Sequence, residues 1–412
     1  MASKGDPFGV QREQRITKSG VRRIFTPHQP ISEHDLFRGR HDQVRKLIEI
    51  MNTPGQHALL YGDRGVGKSS LANIVARLFL KEFVKGQLYV KRCDSDDTFE
   101  TIVADPLDDL KFFDRPIEHF VTRKDAGEAG MGLFAARASA STSSERGSKA
   151  IARRLDIQPS VAASHINGHP GLLVIDETDA IRRTDDKAKL AEFVKLLSDG
   201  ASPFKVLIVG IADDAATLTA AHPSVQRCLK ETKLQRMSEE EIREIVERGA
   251  EAAKLAFDAD ATRRIVKLSA GFPHFAHLLA LKCAEGAVAD GRSTISSDDL
   301  RNAISQAAGD AEGTLRGAYD TAVRSADTDM YRVTALAAAM LDRDEFTASD
   351  LRKSIEKISA KPIGQPALNN YLTRLVSDDQ PKSLLRRLAK GVYRFTDPRM
   401  PSYVKIVNGI TD

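Results

Sequence analysis

Four hundred and twelve residues, 42% hydrophobic and 29% charged, fit two or three compact domains and exclude a wholly disordered chain. The 61 basic and 57 acidic residues leave a net charge of only +4, so total charge alone does not imply a nucleic-acid partner. Cys93, Cys228 and Cys283 lie far apart, which excludes a CxxC zinc knuckle and a dense disulfide framework and fits a reducing cytosol.

No apolar run approaches the roughly 18–20 residues of a membrane span. The polar start MASKGDPFGVQREQR has no apolar core of a secretory signal, so a cytoplasmic location and no membrane partner are expected. Residues 1–30, with Pro27 and Pro30 and no clear periodicity, read as a mobile or extended arm. Val44, Leu47, Ile48 and Met51 then recur at helical spacing until Pro54-Gly55. His57–Tyr61 is a short apolar strand running into a glycine-rich turn, and Leu71, Ile74, Val75 and Leu78 mark the helix after it. Leu88–Val90 reads as a second buried strand, Leu172–Ile175 as a third and Val206–Val209 as a fourth. Uninterrupted apolar runs of this kind belong to parallel strands covered on both faces. Their alternation with helices indicates a doubly wound α/β sheet.

Residues 124–160 hold Gly127, Gly130, Gly132 and a serine- and alanine-rich tract, the composition of a flexible insertion between the second and third strands. From Ser238 the chain turns helical. Ser238 and Glu241 form a capping box, Ile242, Ile245 and Val246 mark a buried face, and helices follow near 260–268, 273–289 and 297–307. A polar stretch near 309–327 joins this bundle to a last module. The expected boundaries are therefore an arm over 1–30, a core over 31–236, a helical lid over 237–308 and a terminal module over 328–412.

Gly62-Asp63-Arg64-Gly65-Val66-Gly67-Lys68-Ser69, with Ser70 behind it, matches the phosphate-binding pattern GxxxxGK[ST] at every fixed position. The strand before it and the helix after it are the context the pattern requires. The glycines let successive backbone N–H groups converge on phosphate oxygens, and the helix N-terminus adds partial positive charge. Lys68 would reach the β and γ phosphates and the Ser69 hydroxyl would ligate Mg²⁺, so ATP with Mg²⁺ is the expected ligand. Leu172–Ile175 deliver Asp176 and Glu177 to the C-terminal end of a strand, where ligands sit in open α/β sheets. Asp176 can hold the metal through water, and Glu177 can orient and polarise an attacking water. Taken singly, the two motifs could also be a plain glycine turn and a solvated acidic turn.

With both motifs placed, the chain resembles AAA+ ATPases, most of all the branch containing origin-recognition initiators and STAND-type ATPases, from about Leu36 to Lys405. The resemblance implies a P-loop NTPase parallel sheet with an α-helical lid and a C-terminal winged-helix domain. Leu36-Phe37-Arg38-Gly39-Arg40 is similar to the segment that flanks the adenine in that family, which places Phe37 at the base. Asp213, in Val209-Gly210-Ile211-Ala212-Asp213-Asp214, stands where initiators carry a polar sensor, usually Asn. As an aspartate it can accept a hydrogen bond from the attacking water but not donate to a phosphate while ionised; a helix cap is its other use. Arg227 matches the arginine finger that reaches a neighbour's γ phosphate, with a surface or fold-stabilising arginine as the alternative. Gly271-Phe272-Pro273 resembles the segment opening the lid helix, which brings Pro273 to the nucleotide. His274 stands about where initiators have a sensor arginine. This departure implies weaker or differently timed lid coupling, and an ordinary helical histidine is the alternative.

The last module reads as three helices, at 332–340, 346–358 and 366–376, then two strands around Ala389-Lys390-Gly391, and it resembles a winged helix. From Leu351 to Lys405 there are 12 Lys/Arg against 4 Asp/Glu, a local charge of +8. On double-stranded DNA, Asn369 and Arg374 of the third helix could meet bases or backbone, and Lys382, Arg386, Arg387 and Lys390 could meet phosphates. Protein contact or autoinhibition is the competing use. The expectation is an ATPase that binds an adenine nucleotide, assembles with copies of itself or a partner, and passes its nucleotide state to DNA. A nucleotide-gated signalling or defence switch is the alternative.

Overall fold

The computed structural model describes residues 8–31, 37–114, 157–211, 224–310, 313–325, 328–376 and 383–410. In chain order the first half runs α1 (Val10–Ser19), α2 (Val21–Ile24), α3 (His41–Asn52), β1 (His57–Gly62), α4 (Lys68–Glu82), β2 (Gln87–Arg92), α5 (Phe99–Asp109), α6 (Pro159–Ile166), β3 (Gly171–Asp176), α7 (Thr184–Asp199), β4 (Phe204–Gly210), α8 (Val225–Cys228) and β5 (Leu229–Leu234). The second half contains α9 (Glu239–Ala252), β6 (Ala256–Phe257), α10 (Ala259–Ser269), α11 (Pro273–Ala289), β7 (Thr294–Ile295), α12 (Ser297–Asp310) and α13 (Gly313–Val323). It closes with α14 (Met330–Ala339), β8 (Glu345–Thr347), α15 (Ala348–Ser359), α16 (Gln365–Val376), β9 (Leu385–Ala389), β10 (Val392–Phe395) and α17 (Met400–Val407). Two compact units result. One gathers Met1–Val44, Gly62–Ile74 and Leu234–Asp412, and the other Arg45–Tyr61 and Val75–Lys233. The glycine loop thus clusters with the segments from Leu234 onward.

The second unit holds a five-stranded sheet in the order β2-β3-β4-β1-β5. The β1–β4, β3–β4 and β2–β3 pairs are parallel, so these strands end on the same side. β3 and β4 are buried along their whole length, as their unbroken apolar runs require. β2 differs from its expected buried state. It is an edge strand, with Leu88 37% and Val90 46% exposed, because nothing pairs beyond it among the described residues. The core between sheet and helices packs Phe99 edge-on to Phe193 at 5.8 Å and stacks Tyr89 on Phe204 at 6.1 Å. Most of the expected 124–160 insertion lies outside the described residues.

In the first unit, residues 10–24 are helical rather than extended. Gly20, at φ 74°, ends α1 and gives its N–H to the Thr17 carbonyl. α1 and α2 pack on α11. Arg22 Nε donates to Glu285 at 2.5 Å, and fully buried Phe25 sits where Gly249 of α9 has no side chain. The Thr26 amide donates to His277 Nδ1 at 3.2 Å, which needs a neutral ring, and burial pushes His277 down to about 4. Few apolar residues carry this contact, chiefly Ile16, Val21 and Phe25, too few to produce a visible period. The polar stretch near 309–327 is also partly helical: α13 buries Leu315, Tyr319 and Ala322.

The lid capping box is formed, with Glu241 N donating to Ser238 Oγ at 3.2 Å and Ser238 N to Glu241 Oε2 at 2.9 Å. The terminal module runs helix, strand, helix, helix, strand, strand, the order of a winged helix, with an antiparallel sheet β8-β10-β9 and α17 packed behind. Among the described residues no helix is long and apolar enough to cross a membrane.

A Gly249→Ala exchange tests the docking of the amino-terminal helices. Helix propensity alone would stabilise by about 1 kcal/mol. A Cβ there would lie 2.3 Å from Phe25 Cε1, so the exchange should instead destabilise, by about 1–3 kcal/mol. In a Phe25→Ala background the same exchange should become stabilising. Thermal unfolding of the four proteins reads the reversal of sign.

Candidate nucleotide site

The glycine loop joins β1 to α4, and its glycines are demanded by close neighbours. A Cβ on Gly62 would lie 2.2 Å from the Leu234 carbonyl oxygen. Gly65 and Gly67 have φ 84° and 93°, where side-chain-bearing residues are strained. Pro273, first residue of α11, lies in ordinary contact with the Gly67 position, 3.5 Å from where a Cβ would stand. Lys68 Nζ donates to the carbonyls of Gly62 at 3.0 Å and Asp63 at 2.9 Å, so the ammonium already rests on the loop that would hold phosphate. Asp63 and Arg64 are exposed, Val66 is buried, and Ser69 and Ser70 are half-buried. Ser70 Oγ accepts the Ile31 N–H at 3.1 Å, so its hydroxyl faces the amino-terminal segment. Loop amides, a helix start, an ammonium and a neighbouring hydroxyl form a donor set that suits a polyphosphate.

Two arginines brace this loop, and neither stands out in the sequence as a site residue. Arg40 is 4% exposed and has a left-handed backbone at φ 62°. Its Nη2 donates to the Gln235 carbonyl at 2.5 Å and more weakly to the Val66 carbonyl at 3.4 Å. Its amide donates to Glu241 Oε1 at 2.9 Å. Burial lowers the Arg40 pKa, opposed by Glu241. Arg40 thus ties the segment after half-buried Phe37 to the loop and to the first lid helix. Arg399, also 4% exposed, comes from the terminal module. Asp397 holds its guanidinium from both oxygens, at 3.0 and 2.8 Å, and its Cδ lies 2.5 Å from where a Gly65 Cβ would stand. The Gly39-Arg40 pair was the one available signal for the first. For the second there was none, because a buried arginine reads as surface charge.

His274 Nδ1 lies 2.8 Å from the Pro27 carbonyl, which can only accept, so that nitrogen carries the proton and the ring is turned to the amino-terminal segment.

In the other unit, Asp176 ends β3 at 6% exposure. Its Oδ1 accepts the Glu177 N–H, and its carbonyl accepts the Cys93 N–H, each at 2.9 Å. Burial first, with Asp97 and other charges adding, pushes the Cys93 thiol up to about 12 and leaves it an inert packing group. Glu177 is exposed and left-handed, at φ 59° and ψ 39°. Among the described residues no cluster of three metal-binding side chains occurs. A magnesium site needs none, since one or two protein groups with phosphate oxygens and water suffice, and Ser69 and Asp176 are of the right type. Arg227 is exposed on α8 and makes no ion pair among the described residues. Asp213 lies outside the described residues.

In the terminal module Asn369 is exposed and accepts from Gln365 Nε2 at 3.0 Å. Arg374 lies 4.3 Å over the Tyr331 ring and donates to the Arg324 carbonyl. Its planar cation is used to pack the helix on its own module. Arg386, Arg387 and Lys390 are exposed on the β9–β10 hairpin, and Arg386 stands directly opposite Arg394. Lys382 lies outside the described residues.

A family model described as nSTAND1, Novel STAND NTPase 1, matches residues 27–377. No curated protein matches the sequence. Among solved structures the chain is similar to the ORC2 protein of Aeropyrum pernix in its ADPNP–ADP complexes, at 16% identity and TM-score 0.50, covering 95% of this chain and 97% of that one. It is also similar to the Walker-type ATPase paby2304 of Pyrococcus abyssi, at 16% identity and TM-score 0.51, covering 93% and 99%. At these identities the likeness establishes the fold alone, that of a P-loop NTPase.

Gly65→Ala should lower stability by about 1–3 kcal/mol, from its φ and from the Arg399 stem. Arg399→Ala removes only the second cause, so it should recover part of the loss in the double variant and none of the remainder. Calorimetric unfolding of the cycle measures the coupling; strict additivity would show that the two residues do not press on each other.

Proposed function

The chain belongs to the novel STAND NTPase 1 family, and on that premise we propose that it binds ATP with Mg²⁺, hydrolyses it, and passes the nucleotide state to its terminal module. The observation that carries this reading is the glycine loop between β1 and α4, with the Lys68 ammonium resting on its Gly62 and Asp63 carbonyls. In the reading, Gly62 to Ser70 hold the phosphates, Lys68 neutralises the β and γ oxygens, and Phe37 and Pro273 flank the base. Ser69 and Asp176, the latter through water, would hold magnesium, which supplies charge neutralisation of the phosphates. Glu177 accepts a proton from the attacking water as its oxygen bonds to the γ phosphorus. The β–γ bridging P–O bond then breaks, leaving ADP and inorganic phosphate. Asp213 serves as a second acceptor toward that water. Arg227, exposed and without an ion partner among the described residues, acts on a neighbouring subunit's phosphates in a nucleotide-dependent assembly. The three free, buried thiols fit a cytoplasmic location.

For the output, we read the basic hairpin as a DNA backbone contact. Like charges directly opposite in a sheet destabilise it, so the Arg386–Arg394 pair is explained if an anion lies across it. A second reading, a signalling switch whose terminal module contacts protein, is favoured by Arg374, whose use in packing removes a base-reading group from the third helix.

Lys68→Ala should weaken ATP binding about 10- to 100-fold, the worth of a charge-assisted contact, measured by calorimetry. Glu177→Gln should keep the affinity and lose turnover; retained turnover would remove Glu177 from its role. On duplex DNA, Arg386→Ala with Arg387→Ala should weaken binding alike across sequences and reduce the salt slope by about 1 per lost phosphate contact. Binding indifferent to both substitutions and to salt would favour the protein-contact reading.

A further inference from the structure

β3 and β4 pair in parallel register as far as Ile175 and Ile208; β3 ends one residue later at Asp176, while β4 continues to Gly210. Glu177 turns into the left-handed region, which side-chain-bearing residues avoid unless their surroundings impose it. The surroundings here are specific. Thr178, 1% exposed, donates its hydroxyl to the Val209 carbonyl at 3.1 Å. A side chain thus meets the β4 backbone where the ladder no longer does. On the other flank the Cys93 amide holds the Asp176 carbonyl at 2.9 Å, and the Ala180 amide closes a turn onto the Glu177 carbonyl at 2.9 Å. Glu177 has an exposed carboxylate on a backbone fixed from both sides.

We infer that Thr178 is a positioning residue for hydrolysis: its hydroxyl bond to the Val209 carbonyl holds the left-handed turn that aims the Glu177 carboxylate at water. The inference rests on Glu177 being the proton acceptor. A carboxylate that takes a proton in the transition state must sit within hydrogen-bond reach of the attacking oxygen, and misplacement by about 1 Å costs on the order of 100-fold in rate. The threonine hydroxyl supplies the donor.

The test uses the full chain. Thr178→Val keeps the shape and removes the donor, and Thr178→Ser keeps the donor. Thr178→Val should lower kcat about 10- to 100-fold while the calorimetric affinity for a non-hydrolysable ATP analogue stays within about twofold, and Thr178→Ser should retain most of kcat. In a Glu177→Gln background, Thr178→Val should change the residual rate by less than about twofold, because the group it aims is already gone. A kcat for Thr178→Val near that of the unsubstituted protein, beside an inactive Glu177→Gln, would overturn the inference and leave the ATPase reading standing. Equal losses from Thr178→Val with and without Glu177 would overturn it as well, marking a purely structural residue. Turnover surviving Glu177→Gln would overturn both. Should Thr178→Val fail to fold, Thr178→Ala, which admits water to the carbonyl, is judged by the same criteria.

Discussion

A loop that must press against its neighbours and still turn its amides to an anion has little room for side chains. The Leu234 carbonyl closes on Gly62 and the Arg399 stem on Gly65, while Pro273 touches the position of Gly67. The glycines are therefore a packing requirement as much as a conformational one. Arg40 fastens the same loop from a third direction through the Val66 and Gln235 carbonyls. A loop braced in this way is pre-shaped for phosphate, so less ordering entropy opposes binding. The same bracing explains why it clusters with lid and terminal module.

Much of this was legible beforehand because the signals were local. Unbroken apolar runs located β1, β3 and β4, and a serine with a glutamate three residues on marked the lid's first helix. The glycine pattern needed only its flanking strand and helix to be read as a phosphate loop. What escaped depends on contacts between distant segments. An apolar run cannot report whether a neighbour pairs beyond it, so β2 read as buried and is an edge. α1 and α2 bury few apolar residues, so no periodicity betrayed them. Thr178 carries no pattern at all, since its meaning lies in a carbonyl 31 residues away.

Charge was the least transparent property. Counting gave the stretch from Leu351 to Lys405 a local charge of +8 without saying which of its cations are exposed. Arg399 is buried in a fork with Asp397, and Arg374 lies on Tyr331. Guanidinium groups suit such places because they are planar and present several donors in fixed directions. Arg386, Arg387 and Lys390 remain exposed on the hairpin, and Lys353, Lys357 and Lys361 on and just after α15, so the exposed cations are shared between two parts of the module.

The ring of Phe25 lodged against Gly249 has a mechanical consequence. The amino-terminal helices are bolted to the lid by that ring, by the Arg22–Glu285 pair and by the two histidines of α11. Tension applied at the amino end is delivered to the helices behind the phosphate loop instead of dissipating in a slack tether. Anything fused to that end, or gripping it, holds a handle on the lid.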